Sequence, residues 1–191
     1  MKYIKKLIGD RIYLSPKCGL DEEVEKFTEW MNDFQITDYT GRSGELQSIM
    51  EERSWIENIV KDSKSKNFNI VELNNDELIG SVGLAHINWI NRSAVLGVFI
   101  GDEKYRNNGY GTEAINLLLE YSFRYINLHS IRLELLDINE RAHKCYLKCG
   151  FKDMGRSREK IFVNGKYYDT LYMDIIENEF EGDYIRNKNV K

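Results

Sequence analysis

The stretch Tyr105-Arg106-Asn107-Asn108-Gly109-Tyr110-Gly111-Thr112 decides how the rest of this chain is read. It stands between an apolar run, Ala94 to Ile100, and a helical pattern from Thr112 to Tyr125. Gly109 and Gly111 give the turn backbone conformations and a closeness of approach that a Cβ forbids. A turn of this kind opening a helix presents successive free N–H groups, and the helix dipole reinforces them. Arg106 adds a positive charge. The combination suits a phosphate or diphosphate. No Gly-Lys-Ser/Thr follows, so it is not a nucleotide P-loop. It is one glycine short of the dinucleotide fingerprint, and the strands before it read as antiparallel. Taken alone, the octapeptide fits a simple glycine-rich helix start equally well.

Working outward toward the N-terminus, Ser93 to Ile100 is apolar at nearly every position, the pattern of a strand buried on both faces. Leu78 to Ile87 and Phe68 to Leu73 read as strands joined by the turn Asn74-Asn75-Asp76-Glu77, with Gly80 and Gly83 marking a bulge or close backbone approach. The first strand, Arg11 to Ser15, is closed by Pro16, the single proline. Two helices lie between. One follows an Asp21 N-cap, with Glu22, Glu23 and Glu25 near its positive end and Val24, Phe27, Trp30 and Met31 inward. The other runs from Leu46 to Val60 with Ile49, Trp55, Ile56 and Ile59 inward, after a polar loop from Tyr39 to Gly44.

Toward the C-terminus come strand Ile131 to Leu136, helix Asn139 to Cys149, and a hairpin of Glu159 to Val163 and Lys166 to Ile176 around Asn164-Gly165. Residues 177–191 are polar and are expected to fray. This order predicts a mixed α/β chain in three layers, α/β/α, rather than a doubly wound parallel sheet. A length of 191 residues predicts a single domain over residues 1–191 with its core at about 10–176.

With 42% apolar and 12% aromatic residues the chain can build a packed core. No apolar stretch approaches the roughly 18 residues a membrane span needs, and Met1 to Lys6 has no signal-peptide character, so a cytoplasmic protein without membrane contact is expected. The three cysteines, Cys18, Cys145 and Cys149, make an odd count that fits a reducing compartment. A net charge of −4 argues against nucleic acid as a partner. Cys145 and Cys149 could share a helical face, but His143 lies off it and no fourth ligand follows, so no metal is expected.

A second segment, Asn139-Glu140-Arg141-Ala142-His143-Lys144-Cys145-Tyr146-Leu147-Lys148-Cys149-Gly150-Phe151, changes the weight of the first. Together the two resemble the GCN5-related N-acetyltransferase (GNAT) superfamily. The first is similar to its acetyl-CoA pyrophosphate loop, Arg/Gln-x-x-Gly-x-Gly/Ala, and the second to its Asn-x-x-Ala-x-x-x-Tyr-x-Lys-x-Gly-Phe helix. Gly109 to Ala114, with the late Asn164-Gly165-Lys166-Tyr167-Tyr168-Asp169 hairpin, looks most like the RimJ/RimL and spermidine-acetyltransferase branch. Asn107 stands where the family has Gly, and Arg106 where the branch often has Trp or Gln. Asparagine tolerates left-handed backbone better than most residues.

The resemblance implies a mostly antiparallel, twisted sheet of six or seven strands, splayed between the fourth (93–100) and fifth (131–136). It implies acetyl-CoA, with pantetheine along Val98, Phe99 and Ile100, pyrophosphate on Arg106, Asn107, Asn108, Gly109, Tyr110, Gly111 and Thr112, and contacts from Asn139 and Tyr146. A main-chain N–H near Phe99 would polarise the thioester carbonyl. Tyr146 matches the tyrosine facing the sulfur, a general acid that stays protonated at neutral pH. For a general base the candidates are Glu72 first, then Glu134 and His86, in a family where many members need none. The acceptor is expected to be a small primary amine met by Trp30, Tyr39 and Glu134, polyamine-like for preference, with an amino sugar or aminoglycoside or a protein N-terminal amine as alternatives. A reading of another class is a non-catalytic sensor of acyl-CoA. A homodimer is expected by analogy only.

Overall fold

A computed structural model of the chain describes residues 2–188. Its frame is one eight-stranded sheet in the order β1-β2-β3-β4-β5-β6-β8-β7. The strands are β1 (Leu7–Ile8), β2 (Ile12–Pro16), β3 (Lys66–Glu72), β4 (Leu78–Asn88), β5 (Ser93–Ile100), β6 (Ser130–Leu136), β7 (Lys152–Val163) and β8 (Lys166–Ile176). The helices are α1 (Asp21–Met31), α2 (Phe34–Thr40), α3 (Ile49–Lys61), α4 (Tyr110–Arg124) and α5 (Glu140–Lys148). The mixed α/β, three-layer reading holds. The sheet has one strand more than expected, the two-residue β1, and β7 begins at Lys152 rather than Glu159.

Period-2 alternation assigns the two faces. Ile131, Leu133 and Leu135 of β6 join Leu14, Ile70, Leu84 and Leu96 against α4 and α5 in the main core. Tyr13, Val71, Leu78 and Phe99 face the other way, onto Phe27 and Trp30 of α1. Every adjacent pair is antiparallel except β5 with β6. The backbones of β4 and β5 approach closely because Gly80 has no Cβ; one there would overlap the Phe99 carbonyl.

Several local expectations fail for identifiable reasons. Residues 34–40 form a helix, α2, where a loop was expected: Asp33 caps it, accepting the Gln35 N–H at 2.8 Å, and Gly41 ends it at φ 72°. The α1 N-cap is Leu20 without a side-chain bond; the buried Glu23 instead accepts the N–H groups of Cys18 (3.2 Å) and Gly19 (3.0 Å). In α3 a Ser48–Glu51 capping box sets the start, and the buried positions are Ile56 and Glu52, while Ile49 and Trp55 are exposed. Residues 177–188 do not fray. Ile185 is buried, Phe180 packs on Phe123 of α4, and Arg186 N–H donates to the Ile8 carbonyl at 2.7 Å. A few aromatic and apolar residues in a polar segment suffice to dock it. Residues 189–191 lie outside the described residues. Among those described, no helix is long and apolar enough to cross a membrane.

Candidate active site

β5 and β6 pair only at Ser93 with Ser130, Ala94 with Ile131 and Val95 with Arg132, and then diverge. On its other side β5 stays paired with β4 as far as Ile100. The strand therefore keeps hydrogen-bonding main chain open toward the splay from Val98 to Ile100, since a sheet residue satisfies its two sides separately. A cavity of about 620 Å³ opens there, lined by Val98, Phe99 and Ile100, by Arg106 to Thr112 apart from Asn108, and by α2 and α5.

The quoted octapeptide forms the end wall. Asn107 has φ 64° and Gly109, the N-cap of α4, has φ 82°. Left-handed backbone at both positions turns the chain so that the first amides of α4 face the cavity end-on. The N–H groups of Tyr110, Gly111 and Thr112 have no intrahelical acceptor, as at any helix start. Sequence reasoning missed the brace behind this loop. Arg11 donates to the Asn108 carbonyl (2.8 Å) and to Glu113 (2.9 Å), and its guanidinium lies 4.5 Å from the Tyr110 ring centroid. Glu113 in turn accepts the N–H groups of Asp10 and Arg11, tying β2 to α4.

α5 forms the opposite wall. The Asn139 side chain caps it, accepting the Ala142 N–H at 3.1 Å. Tyr146 is buried and lines the cavity, its ring edge-on to Phe151 at 6.0 Å. Its hydroxyl makes no side-chain hydrogen bond among the described residues. Burial, with Cys145 and Cys149 adding to it, pushes the phenol pKa well above its ordinary value, so it is a neutral donor. Cys145 also lines the cavity, with Sγ 3.2 Å from the Thr112 hydroxyl. Its pKa is drawn down, by the Cys149 thiol first and by Thr112, Lys148 and Arg141 besides. Arg141, Lys144 and Lys148 line the same wall. Their spacing of three and four residues puts them on one helical face, a signal that was there to be used.

Arg106 departs from expectation. It lines the cavity, but its guanidinium is turned inward: it donates to the Gly101 (2.6 Å) and Ile100 (3.2 Å) carbonyls, meets Gln35 at 3.5 Å, and pairs with Asp33 at 3.7 Å. It braces the end of β5 against α2 rather than projecting toward a phosphate. Asn108 supports the loop through its carbonyl and is not in the lining.

α2 closes the remaining side with Gln35, Ile36, Tyr39 and Thr40. A second cavity of about 690 Å³ adjoins it, sharing Tyr39, Arg106 and Arg141 and adding Asp38, Glu103 and Tyr168. Of the residues expected at the acceptor, Tyr39 is there. Trp30 is not: it is core, edge-on to Phe99 at 5.9 Å. Glu134 lies outside the cavity, paired with Lys160 at 2.9 Å. Glu72 is not brought to the cleft either. Its buried carboxylate holds the β3–β4 turn, accepting from the N–H groups of Asn74 (2.8 Å) and Asn75 (3.0 Å). His86 sits at the opposite end of the β5–β6 pair.

A splayed sheet with an open strand edge, a helix start aimed at the cleft, a basic stripe and a neutral phenol define an acyltransferase that takes its acyl group from a coenzyme A thioester. The open strand suits an amide-bearing arm, and the amides and lysines suit phosphates. The acetyltransferase (GNAT) domain model matches residues 11–152, and the chain belongs to that family; it is an acetyl-CoA-dependent N-acetyltransferase. Spermidine N(1)-acetyltransferase of Vibrio cholerae is 36% identical over 121 residues, 63% of this chain and 69% of that protein. A probable N-acetyltransferase of Bacillus subtilis, YjcK, is 29% identical over 186 residues, 92% of this chain and 99% of its own. The crystal structure of the Vibrio cholerae spermidine N-acetyltransferase with CoA and spermine superposes with a TM-score of 0.82 at 27% identity, covering 90% of this chain and 99% of that one.

Proposed function

We propose that the acceptor is a primary amine of a small aliphatic polycation of the spermidine type, and that Tyr146 is the general acid of the transfer. The carrying observation is the placement of Tyr146, buried beside the splay with its phenol held neutral. Bound acetyl-CoA supplies the acetyl thioester. Val98 to Ile100 would hold its arm, and the first amides of α4 with Asn107, Arg141, Lys144 and Lys148 its phosphates. A donor N–H near Phe99 would polarise the carbonyl. Tyr146 would give its proton to the departing sulfur.

The acceptor must lose a proton before it attacks. Among the described residues the only carboxylate lining the main cavity is Glu140, which is exposed and faces Lys144 at 3.4 Å. We therefore assign no protein base: the ammonium gives its proton to water in the open cleft, and Tyr39 with the acidic vestibule of Asp38 and Glu103 concentrates cations there. The spermidine acetyltransferases among the relatives support the polycation. We also read the chain as one cytoplasmic domain, which three free cysteines suit, and as a homodimer by family analogy.

The test is release of free thiol from acetyl-CoA across a panel of polyamines, amino sugars and peptide N-termini. Tyr146→Phe should lower kcat by about 10²–10⁴ with little change in coenzyme affinity. Because the amine must be neutral, kcat/KM should climb with pH. Because burial raises the phenol, no loss from Tyr146 should appear until beyond the ordinary phenol value of 10.0. Unchanged turnover in Tyr146→Phe removes the residue from the mechanism.

A further inference from the structure

Strand β7 does not run evenly beside β8. Ser157 faces Thr170 and Ile161 faces Tyr168, so Arg158, Glu159 and Lys160 together stand against Asp169. Glu159 takes a left-handed φ of 49° and donates its N–H to the Asp169 carboxylate at 2.8 Å. A non-glycine residue in that region is uncommon, and β-bulges often re-aim a side chain. Lys160 is the one re-aimed. Its Nζ crosses β8 and donates to Glu134 Oε2 on β6 (2.9 Å) and to the Tyr172 hydroxyl (3.1 Å), 5.3 Å from the Tyr172 ring centroid. Ser157 Oγ lies 3.2 Å from the same phenol. A carboxylate, a phenol, a hydroxyl and an aromatic face around one ammonium is a complete alkylammonium receptor.

Its place relates it to the cleft. Glu134 and Tyr172 are register partners. Arg132 is the last β6 residue paired with β5, so Glu134 is the first residue on its face beyond the point where the sheet parts. Leu136, next on that face and about 7 Å along the strand, lies beneath Gly41 at the end of α2. The residues preceding Gly41, Tyr39 and Thr40, line the cavity. A flexible polycation with one amine in the splay can set another here.

We propose that Glu134, Tyr172 and Ser157 form a second ammonium site, for the distal cation of a di- or polyamine acceptor, and that Lys160 fills it as a tethered competitor which the acceptor displaces. This rests on the polycation reading above. The Lys160 and Glu134 side chains are 39% and 53% exposed, so exchange is open to solvent. An exposed ion pair contributes at most about 1 kcal/mol. The competition is thus weak enough to be won by substrate, and it penalises amines that lack a second charge.

The test compares spermidine with hexylamine, which has no second cation. Lys160→Met should lower the spermidine KM by about two- to fivefold, with less change for hexylamine. Lys160→Arg, which keeps a cation in place, should restore the wild-type value. Glu134→Gln should raise the spermidine KM alone. These differences should fade in high salt. A spermidine KM that is unchanged or higher in a normally folded Lys160→Met protein overturns the proposal and leaves Lys160 as a hairpin brace. If the wild type releases no thiol with any amine, the acceptor reading fails separately. Calorimetric titration of spermidine then decides the site: tighter binding to Lys160→Met upholds it, and equal or absent binding rejects it.

Discussion

The coenzyme side of the cleft is made from two unbroken runs of chain, β5 through α4 and β6 through α5. The acceptor side is assembled from α1, α2, α3 and the β7–β8 hairpin, which reach the sheet through contacts between residues far apart in sequence. On the first side the decisive groups are main-chain amides fixed by Asn107 and Gly109. On the second they are charged side chains holding one another: Lys17 with Glu23 at 3.5 Å, Arg106 with Asp33 at 3.7 Å, Lys160 with Glu134 at 2.9 Å. A backbone-built site tolerates changes that keep its dihedral angles. A site built from long-range pairs tolerates changes of backbone but not of partner.

That contrast breaks first at Gly109. A valine there must adopt φ 82°, and its Cβ would come 3.2 Å from Arg11. For a β-branched residue this is a steric outlier. Gly109→Val should fail to saturate at coenzyme concentrations that saturate the wild type, in equilibrium binding. Gly109→Asn, which accepts left-handed backbone, should keep measurable affinity. Equal loss in both would mean that the side chain, not the dihedral, matters.

On the acceptor side the largest effect is on stability. Lys17 is buried between α1 and α3, 3.2 Å from the Phe27 ring centroid, with Glu23 and Glu52 also buried around it. Burial, against the pull of Glu23 and Glu52, lowers its pKa to about 8. Lys17→Met strands two carboxylates and should cost about 3–5 kcal/mol in denaturant unfolding. The sign with pH follows. Between about 8 and the ordinary lysine value of 10.5 the unfolded chain binds the extra proton, so wild-type stability should rise with pH from about 8. The rise should be cut off near 10.0, where Tyr3 and Tyr13, whose folded pKa values burial raises, begin to ionise in the unfolded chain. Lys17→Met should lack the rise.

A smaller effect separates the two possible roles of Arg106. As a phosphate contact it would affect coenzyme affinity alone. As the brace described above it serves both sides, so Arg106→Gln should raise KM for amine and coenzyme together, each by about tenfold, the scale of lost hydrogen bonds to a charged group. A rise confined to acetyl-CoA would return the guanidinium to the diphosphate.

Legibility in the sequence follows the same division. The strand–loop–helix run and the Asn139–Phe151 helix declared themselves because their meaning is local: glycine and asparagine at turn positions, a cap, an apolar period. Asn164-Gly165 declared the hairpin for the same reason. Trp30, Glu72 and Glu134 were misplaced because composition says only that carboxylates and aromatics are present, whereas the fold decides which are already partnered. Glu72 is taken by its turn, Trp30 by Phe27 and Phe99, Glu134 by Lys160. α2 was missed because seven residues with one buried apolar side chain carry almost no periodicity; Asp33 and Gly41 make it a helix.

Cys145 offers the mildest probe of the coenzyme wall. Its thiol faces the cavity and is shifted down, chiefly by the hydrogen bond from Cys149. Cys18, on the acceptor side, is exposed but pushed up to about 11 by burial of its thiol and by Glu23. Thiolate, not thiol, is the nucleophile. Iodoacetamide at neutral pH should therefore label Cys145 ahead of the more exposed Cys18, and raising the pH should narrow the gap as Cys18 begins to ionise. Acetyl-CoA should slow labelling of Cys145 and leave Cys18 untouched, read by peptide mass spectrometry. Cys145→Ala should raise the coenzyme KM by no more than about fivefold, because one neutral contact to Thr112 is lost. If Cys18 reacts first, or if coenzyme protects neither, α5 does not wall the cleft and the division drawn between its two sides fails at its better-defined half.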